Sequence, residues 1–152
     1  PAPPRRAEAP RRTRATSGDW LLEYTREAAW FADQERIDYS NGTARAWITL
    51  VYATPSNGVK YVVALSELDC RQRRERSVAG NFYSVDGRVV ESVVEDSFDY
   101  VVPNTVMDGI LNAICADFSR WGSAEIPVVR VPVGIGVIEA ADNLFASRRN
   151  SP

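Results

Sequence analysis

From Trp20 onward the chain alternates short apolar or aromatic runs with turn signals, the rhythm of consecutive β-strands. Trp20-Leu21-Leu22-Glu23-Tyr24 and Ala29-Trp30-Phe31-Ala32 open the series, and Arg36-Ile37-Asp38-Tyr39 alternates polar with apolar. Asn41-Gly42 supplies the left-handed backbone angles of a tight hairpin turn, and the β-branched and aromatic run from Arg45 to Tyr52 follows as a strand. A Pro55-Ser56-Asn57-Gly58 turn leads to a strand from Lys60 to Ser66. Residues 68–78 read as extended but very polar, and Asp86-Gly87 joins residues 81–85 to residues 88–93 in a hairpin. Connections this short exclude parallel crossovers and predict an antiparallel meander of about six strands.

The period changes after Pro103. Val106, Met107, Ile110, Leu111, Ile114, Cys115 and Phe118 fall at steps of three and four, which places them on one helical face. Thr105 stands as the N-cap, and Asp108 three residues on completes a short-acid variant of the capping box. Burying those side chains contributes on the order of 10 kcal/mol before entropy is subtracted, and the helix needs the sheet to bury them against. The expected fold is therefore α+β, a single antiparallel sheet with a C-terminal helix on one face. Beyond Trp121-Gly122 the run from Ile126 to Ile138 is apolar but broken by Pro127, Pro132, Gly134 and Gly136. The prolines exclude a central strand and leave an edge strand or a docked extended segment. Gly134-Ile135-Gly136 lacks the third glycine and the surrounding βαβ unit of a dinucleotide loop. Residues from Ser147 onward are expected to fray.

Composition narrows the chemistry. The 152 residues include no histidine and two cysteines, and Lys60 is the single lysine among 18 basic residues, leaving 17 arginines. Ser-His-Asp and Cys-His catalysis and His-bearing zinc sites are thereby excluded, and two cysteines cannot build a four-thiolate metal site. Neither a cofactor nor a metal is expected. Charge is divided unevenly: residues 1–18, PAPPRRAEAPRRTRATSG, hold five arginines against Glu8, or +4, so the rest of the chain carries −6 of the net −2. With no large apolar side chain, this segment reads as a disordered basic arm. It suits an anionic partner, a spacer or a stub left after signal removal. The acidic body argues against nucleic acid. No stretch approaches the roughly 20 apolar residues of a membrane span, and a soluble chain is expected. The domain expectation is an arm over 1–18, an α+β domain over 19–120, and a partly docked C-terminal extension over 121–152.

The densest basic group in the body is Arg71, Arg73, Arg74 and Arg76, beside Cys70. In a strand, 71 and 73 face one way and 74 and 76 the other. The group reads either as charge protecting an edge strand or as guanidinium forks binding carboxylate, sulfate or phosphate on a partner. The acids Glu91, Glu95, Asp96 and Asp99, and Asp33, Glu35 and Asp38, read as solvated faces. A carboxylate pair for glycoside hydrolysis is their functional alternative. Asp33 and Asp69 are expected to serve nearby arginines or turn amides. Most of the tryptophans and tyrosines should be core, and Asn41-Gly42-Thr43, though a glycosylation acceptor in form, is accounted for by its turn. Cys70 and Cys115, 45 positions apart, suit a disulfide stabilising by about 4 kcal/mol or two buried thiols, and spacing does not decide between them.

Trp47 to Tyr52, Tyr61, Asp69-Cys70-Arg71, Tyr83, Gly87-Arg88-Val89-Val90, Val102-Pro103 and Cys115 follow an order that resembles the bacterial surface-adhesin protein E family. Its pattern is a Trp-containing strand, an Asp-Cys before a basic stretch, an aromatic hairpin, a Val-Pro before the last helix and a terminal Cys. Trp30-Phe31-Ala32-Asp33 matches the earlier aromatic-Asp strand, so the resemblance covers about residues 20–116. It implies a Cys70–Cys115 disulfide linking helix to sheet. It also implies an exported bacterial envelope protein, in the periplasm, as an outer-membrane lipoprotein with its anchor in the precursor, or at the cell surface. No enzymatic activity is known for the family, and its founding member adheres to host matrix and plasma proteins. The functional expectation is a non-enzymatic domain that binds a protein or other macromolecule, through sheet-edge pairing or as a homodimer. The alternatives are a small-ligand carrier or carboxylate hydrolase with a pocket between sheet and helix, and a purely structural envelope component.

Overall fold

The computed structural model describes residues 18–95 and 97–150. All of the expected arm except Gly18 therefore lies outside the described residues, as do Asp96 and residues 151–152. Among the described residues nine strands form one antiparallel sheet: β1 (Asp19–Tyr24), β2 (Ala28–Asp33), β3 (Asp38–Ser40), β4 (Thr43–Ser56), β5 (Val59–Asp69), β6 (Arg74–Tyr83), β7 (Val89–Val93), β8 (Asp99–Tyr100) and β9 (Val129–Arg130). Their order across the sheet is β7-β6-β5-β4-β2-β1-β9, with β3 on the free stretch of β4 and β8 on that of β6. The count exceeds the expected six because two short strands complete edges that longer neighbours leave open, and β9 comes from beyond Pro127. Two α-helices of the described residues accompany the sheet, α1 (Val106–Cys115) and α2 (Val137–Arg149).

Turn chemistry sets the long hairpins. Asn41-Gly42 and Asn57-Gly58 both adopt positive φ, joining β3 to β4 and β4 to β5 through two-residue turns. Pro55 and Ser56, expected in the turn, still belong to β4. The largest local correction concerns residues 68–78. They are not one strand: β5 ends at Asp69, residues 70–73 turn, and β6 begins at Arg74. No Gly or Pro marks this turn. It is held by Asp69, whose Oδ1 accepts from the amides of Arg71 (3.1 Å) and Gln72 (3.0 Å), with Arg73 at φ 54°. Nor is β6 an edge, since β5 flanks it on one side and β7 and β8 on the other.

Strand alternation gives the sheet two different faces. Ala44, Ala46 and Ile48 of β4, with Ala32 and Leu68, pack against Ile110, Leu111 and Ile114 of α1. Phe31 lies opposite Thr49 and Ala29 opposite Val51, so these residues point the other way, and they bury Ala141 and Phe145 of α2. The two helices therefore cover opposite faces. Thr105 caps α1 by accepting from the Asp108 amide (3.3 Å), while the Asp108 carboxylate reaches back to the amide of Asn104 (2.9 Å). Helix α1 stops at Cys115, and Phe118, expected on its face, sits in a following 3-10 turn against Trp121. Helix α2 runs to Arg149, past the Ser147 at which fraying is expected.

A charged groove at the β4–β6 corner

The four clustered arginines are not one patch. Arg71 lies over Gly42, whose positive φ and missing Cβ admit the chain so closely that an added Cβ would stand 3.0 Å from Arg71 Nε. Arg73 pairs with Asp108 and donates to Asn112 Oδ1 at 2.9 Å, so it ties the β5–β6 turn to the exposed side of α1. The same turn holds the other end of α1 through Cys70–Cys115, with Cα atoms 5.8 Å apart. A four-residue turn thus grips both ends of the helix.

Arg74 and Arg76 point to the opposite face, where cross-strand register supplies acids. Arg74 pairs with Asp69 (2.8 Å) and Arg76 with Glu67 (2.7 Å). Glu67 is shared: Arg76 meets its Oε1, and Arg45 Nε meets its Oε2 at 3.1 Å. Phe98 lies against both β6 guanidinium groups, its ring centre 4.8 Å from that of Arg74 and 4.7 Å from that of Arg76. Asp69 is held below the usual carboxylate range by the Gln72 amide first and then by Arg74.

Beside this network the face opens into a groove of about 490 Å³. Asp38, Ser40, Thr43, Arg45, Glu67 and Arg76, which share one face by strand register, form its floor, and Tyr39, Asn41 and Phe98 complete the lining. Trp47 follows Arg45 on the same face, directly opposite Leu65, and is 39% exposed. Trp121, by contrast, is buried and donates its Nε1 to Ala113 O at 2.7 Å. Arg45, Glu67 and Phe98 belong to no charge run, since each comes from a different part of the chain. The alternation Thr43, Arg45, Trp47 against Ala44, Ala46, Ile48 is a sequence signal for Arg45 and Trp47 on one face, and none of that kind marks Glu67 or Phe98.

The acids expected as solvated faces are dispersed. Glu95 Oε1 accepts the Ser77 amide at 2.7 Å, while Asp99 stands opposite Glu75 in the β6–β8 pair. Burial, and then the charges of Glu95 and Asp99, push the Glu75 carboxyl up. Asp33 Oδ1 accepts from the Glu35 amide at 3.0 Å. A second cavity of about 290 Å³ lies between α2 and the β1–β9 edge, with Leu21, Phe31, Val129, Val131, Ile135 and Leu144 on its wall. Among the described residues no cluster of three or more acids and cysteines is arranged to hold a metal, and no helix is long and apolar enough to cross a membrane.

No curated protein and no solved structure matches the chain. The family model of surface-adhesin protein E matches residues 20–116, a span that contains the groove strands β3 to β6, helix α1 and both cysteines, and leaves β9 and α2 outside. The chain belongs to the surface-adhesin protein E family.

Proposed function

We propose that this chain is an exported, non-enzymatic domain of the bacterial envelope that binds an external macromolecule in the manner of an adhesin. The family match over residues 20–116 carries this reading. Two features support it. The Cys70–Cys115 bridge suits an oxidising compartment outside the cytosol. The groove and Trp47 offer a partner an open strand surface on which Arg45, Glu67 and Arg76 are already joined by ion pairs. The α1–sheet interface, where a carrier or hydrolase pocket is expected to lie, is filled by Ile110, Leu111 and Ile114 against Ala44, Ala46 and Leu68.

Adhesion is tested with beads carrying the full chain, laid on surfaces coated with host plasma proteins or solubilised basement-membrane matrix. Retention under flow well above that of albumin-coated beads is expected. Background retention on both surfaces overturns the adhesive reading. Export is tested on protein taken from its own bacterium without reductant: a mass lower by about 2 Da than the reduced chain is expected from one disulfide. Two free thiols there overturn it.

A further inference from the structure

We propose that the groove at the β4–β6 corner is a binding site for an uncharged oligosaccharide. The inference deepens the binding reading by naming its ligand class, and it starts from charge. Arg45 and Arg76 stand against Glu67 and Asp38, so the described side chains of the groove balance. An anionic polymer laid there meets Glu67 and Asp38, and a cationic peptide meets Arg45 and Arg76; each repels part of either ligand. A neutral, hydroxyl-rich ligand meets no such opposition and uses both kinds of group, since a hydroxyl donates to carboxylates and accepts from guanidinium.

The groups are present and available. Arg45 is half exposed and its contact with Glu67 uses Nε, leaving its Nη donors. The side chains of Asp38, Ser40, Asn41 and Thr43 make no hydrogen bond among the described residues. Glu67, only 16% exposed, is fixed from both sides by arginines, so the floor is organised before a ligand arrives. Trp47 supplies the other requirement. A sugar ring has an apolar C–H face, and an indole face carries the negative quadrupole that attracts it. Trp47 stands just outside the groove's lining, on the same face as Arg45 and two residues along β4, and its 39% exposed indole extends the surface for that stacking. The groove volume of about 490 Å³ lies within the ordinary range for ligand sites.

Saturation-transfer NMR on the full chain tests this with maltohexaose, cellohexaose, xylohexaose and chitohexaose, and with a heparin hexasaccharide for comparison. Transfer to the ring C–H protons of at least one neutral hexasaccharide is expected. Trp47→Ala should weaken its association about tenfold and Trp47→Tyr should retain most of it. Arg45→Ala, at a half-exposed side chain, should weaken it also while the protein stays folded, with a melting temperature lower by no more than a few degrees, which keeps the test informative if Trp47→Ala unfolds. Absence of transfer to all four, transfer unaffected by the folded variants, or binding of heparin alone overturns the proposal. Bead retention that persists when no neutral sugar binds overturns the sugar class and leaves the adhesive reading standing.

Discussion

Glu23 on β1 rests its carboxylate against the backbone of α1 at Gly109, in space that a β-carbon at that position would occupy. The β-bulge between Leu21 and Glu23 makes this contact, turning Glu23 to the same side of the sheet as Trp30 and α1. A glycine that weakens the helix locally therefore accommodates a carboxylate between helix and sheet.

Gly109→Ala should consequently fail to deliver the stabilisation of about 1 kcal/mol that helix propensity alone grants. In a Glu23→Ala background the same substitution should deliver it. A double-mutant cycle by urea denaturation measures the difference, and additivity of the two changes would contradict the contact.

Burial pushes the Glu23 carboxyl above its ordinary pKa, and this fixes the sign of a pH effect. The folded state holds the proton more tightly than the unfolded state, so the penalty is absent below the ordinary carboxylate value near about 4.3. It grows as pH rises through the folded value. Glu23→Gln should therefore stabilise the protein at pH 7 and not at pH 4, as read by thermal unfolding at both. Asp69 has the opposite sign. Its lowered pKa stabilises the fold above the ordinary aspartate value, and that contribution disappears as pH falls through the folded one, so Asp69→Asn should cost stability at pH 7 and little under strongly acidic conditions.

Reducing the Cys70–Cys115 bridge, or replacing both cysteines with serine, should cost about 4 kcal/mol by loop-closure entropy across 45 residues. Urea unfolding with and without reductant measures it. A loss under about 1 kcal/mol would mean that the Arg73–Asp108 pair and the buried helix face already hold α1 in the unbridged chain.

Glu67→Ala removes the acid between Arg45 and Arg76 and should cost about 1–3 kcal/mol, because two guanidinium groups are left facing each other across the strands. Arg45→Ala, at a side chain 50% exposed, should cost under about 1 kcal/mol. Chemical denaturation of the two variants checks the order; equal effects would show that the network is only a surface pairing.

The strands were legible in the sequence because β-branched and aromatic runs coincide with Asn-Gly and Asp-Gly turns. The α1 face was legible because Ile110, Leu111 and Ile114 keep strict helical spacing. The turn at residues 70–73 was not, since it depends on an Asp69 side chain accepting two amides and on Arg73 tolerating positive φ, neither of which changes composition. Helix α2 is obscured in the sequence for another reason. Val137, Ile138, Ala141, Leu144 and Phe145 carry its spacing, but Pro132, Gly134 and Gly136 immediately before them draw attention to breakers. Of the candidate site, the arginines were visible and their partners were not. Pairing of Arg76 with Glu67 and of Arg45 with Glu67 follows from strand register, which becomes known only once the turn is placed.

The bond between Cys70 and Cys115 also makes a covalent ring of the chain that holds β6, β7, β8 and α1. Tension applied at the two ends of the protein passes through the sulfur bridge and bypasses everything inside that ring. Full extension of the oxidised chain therefore falls short of the reduced chain by about 150 Å, the contour of the sequestered segment at roughly 3.3–3.6 Å per residue. Under the adhesive role proposed above, the load is the pull of the surface that the protein holds. Here Glu67 and Trp47 lie in the stretch that bears the load, whereas Arg76 and Phe98, across the groove, lie in the stretch that is shielded from it.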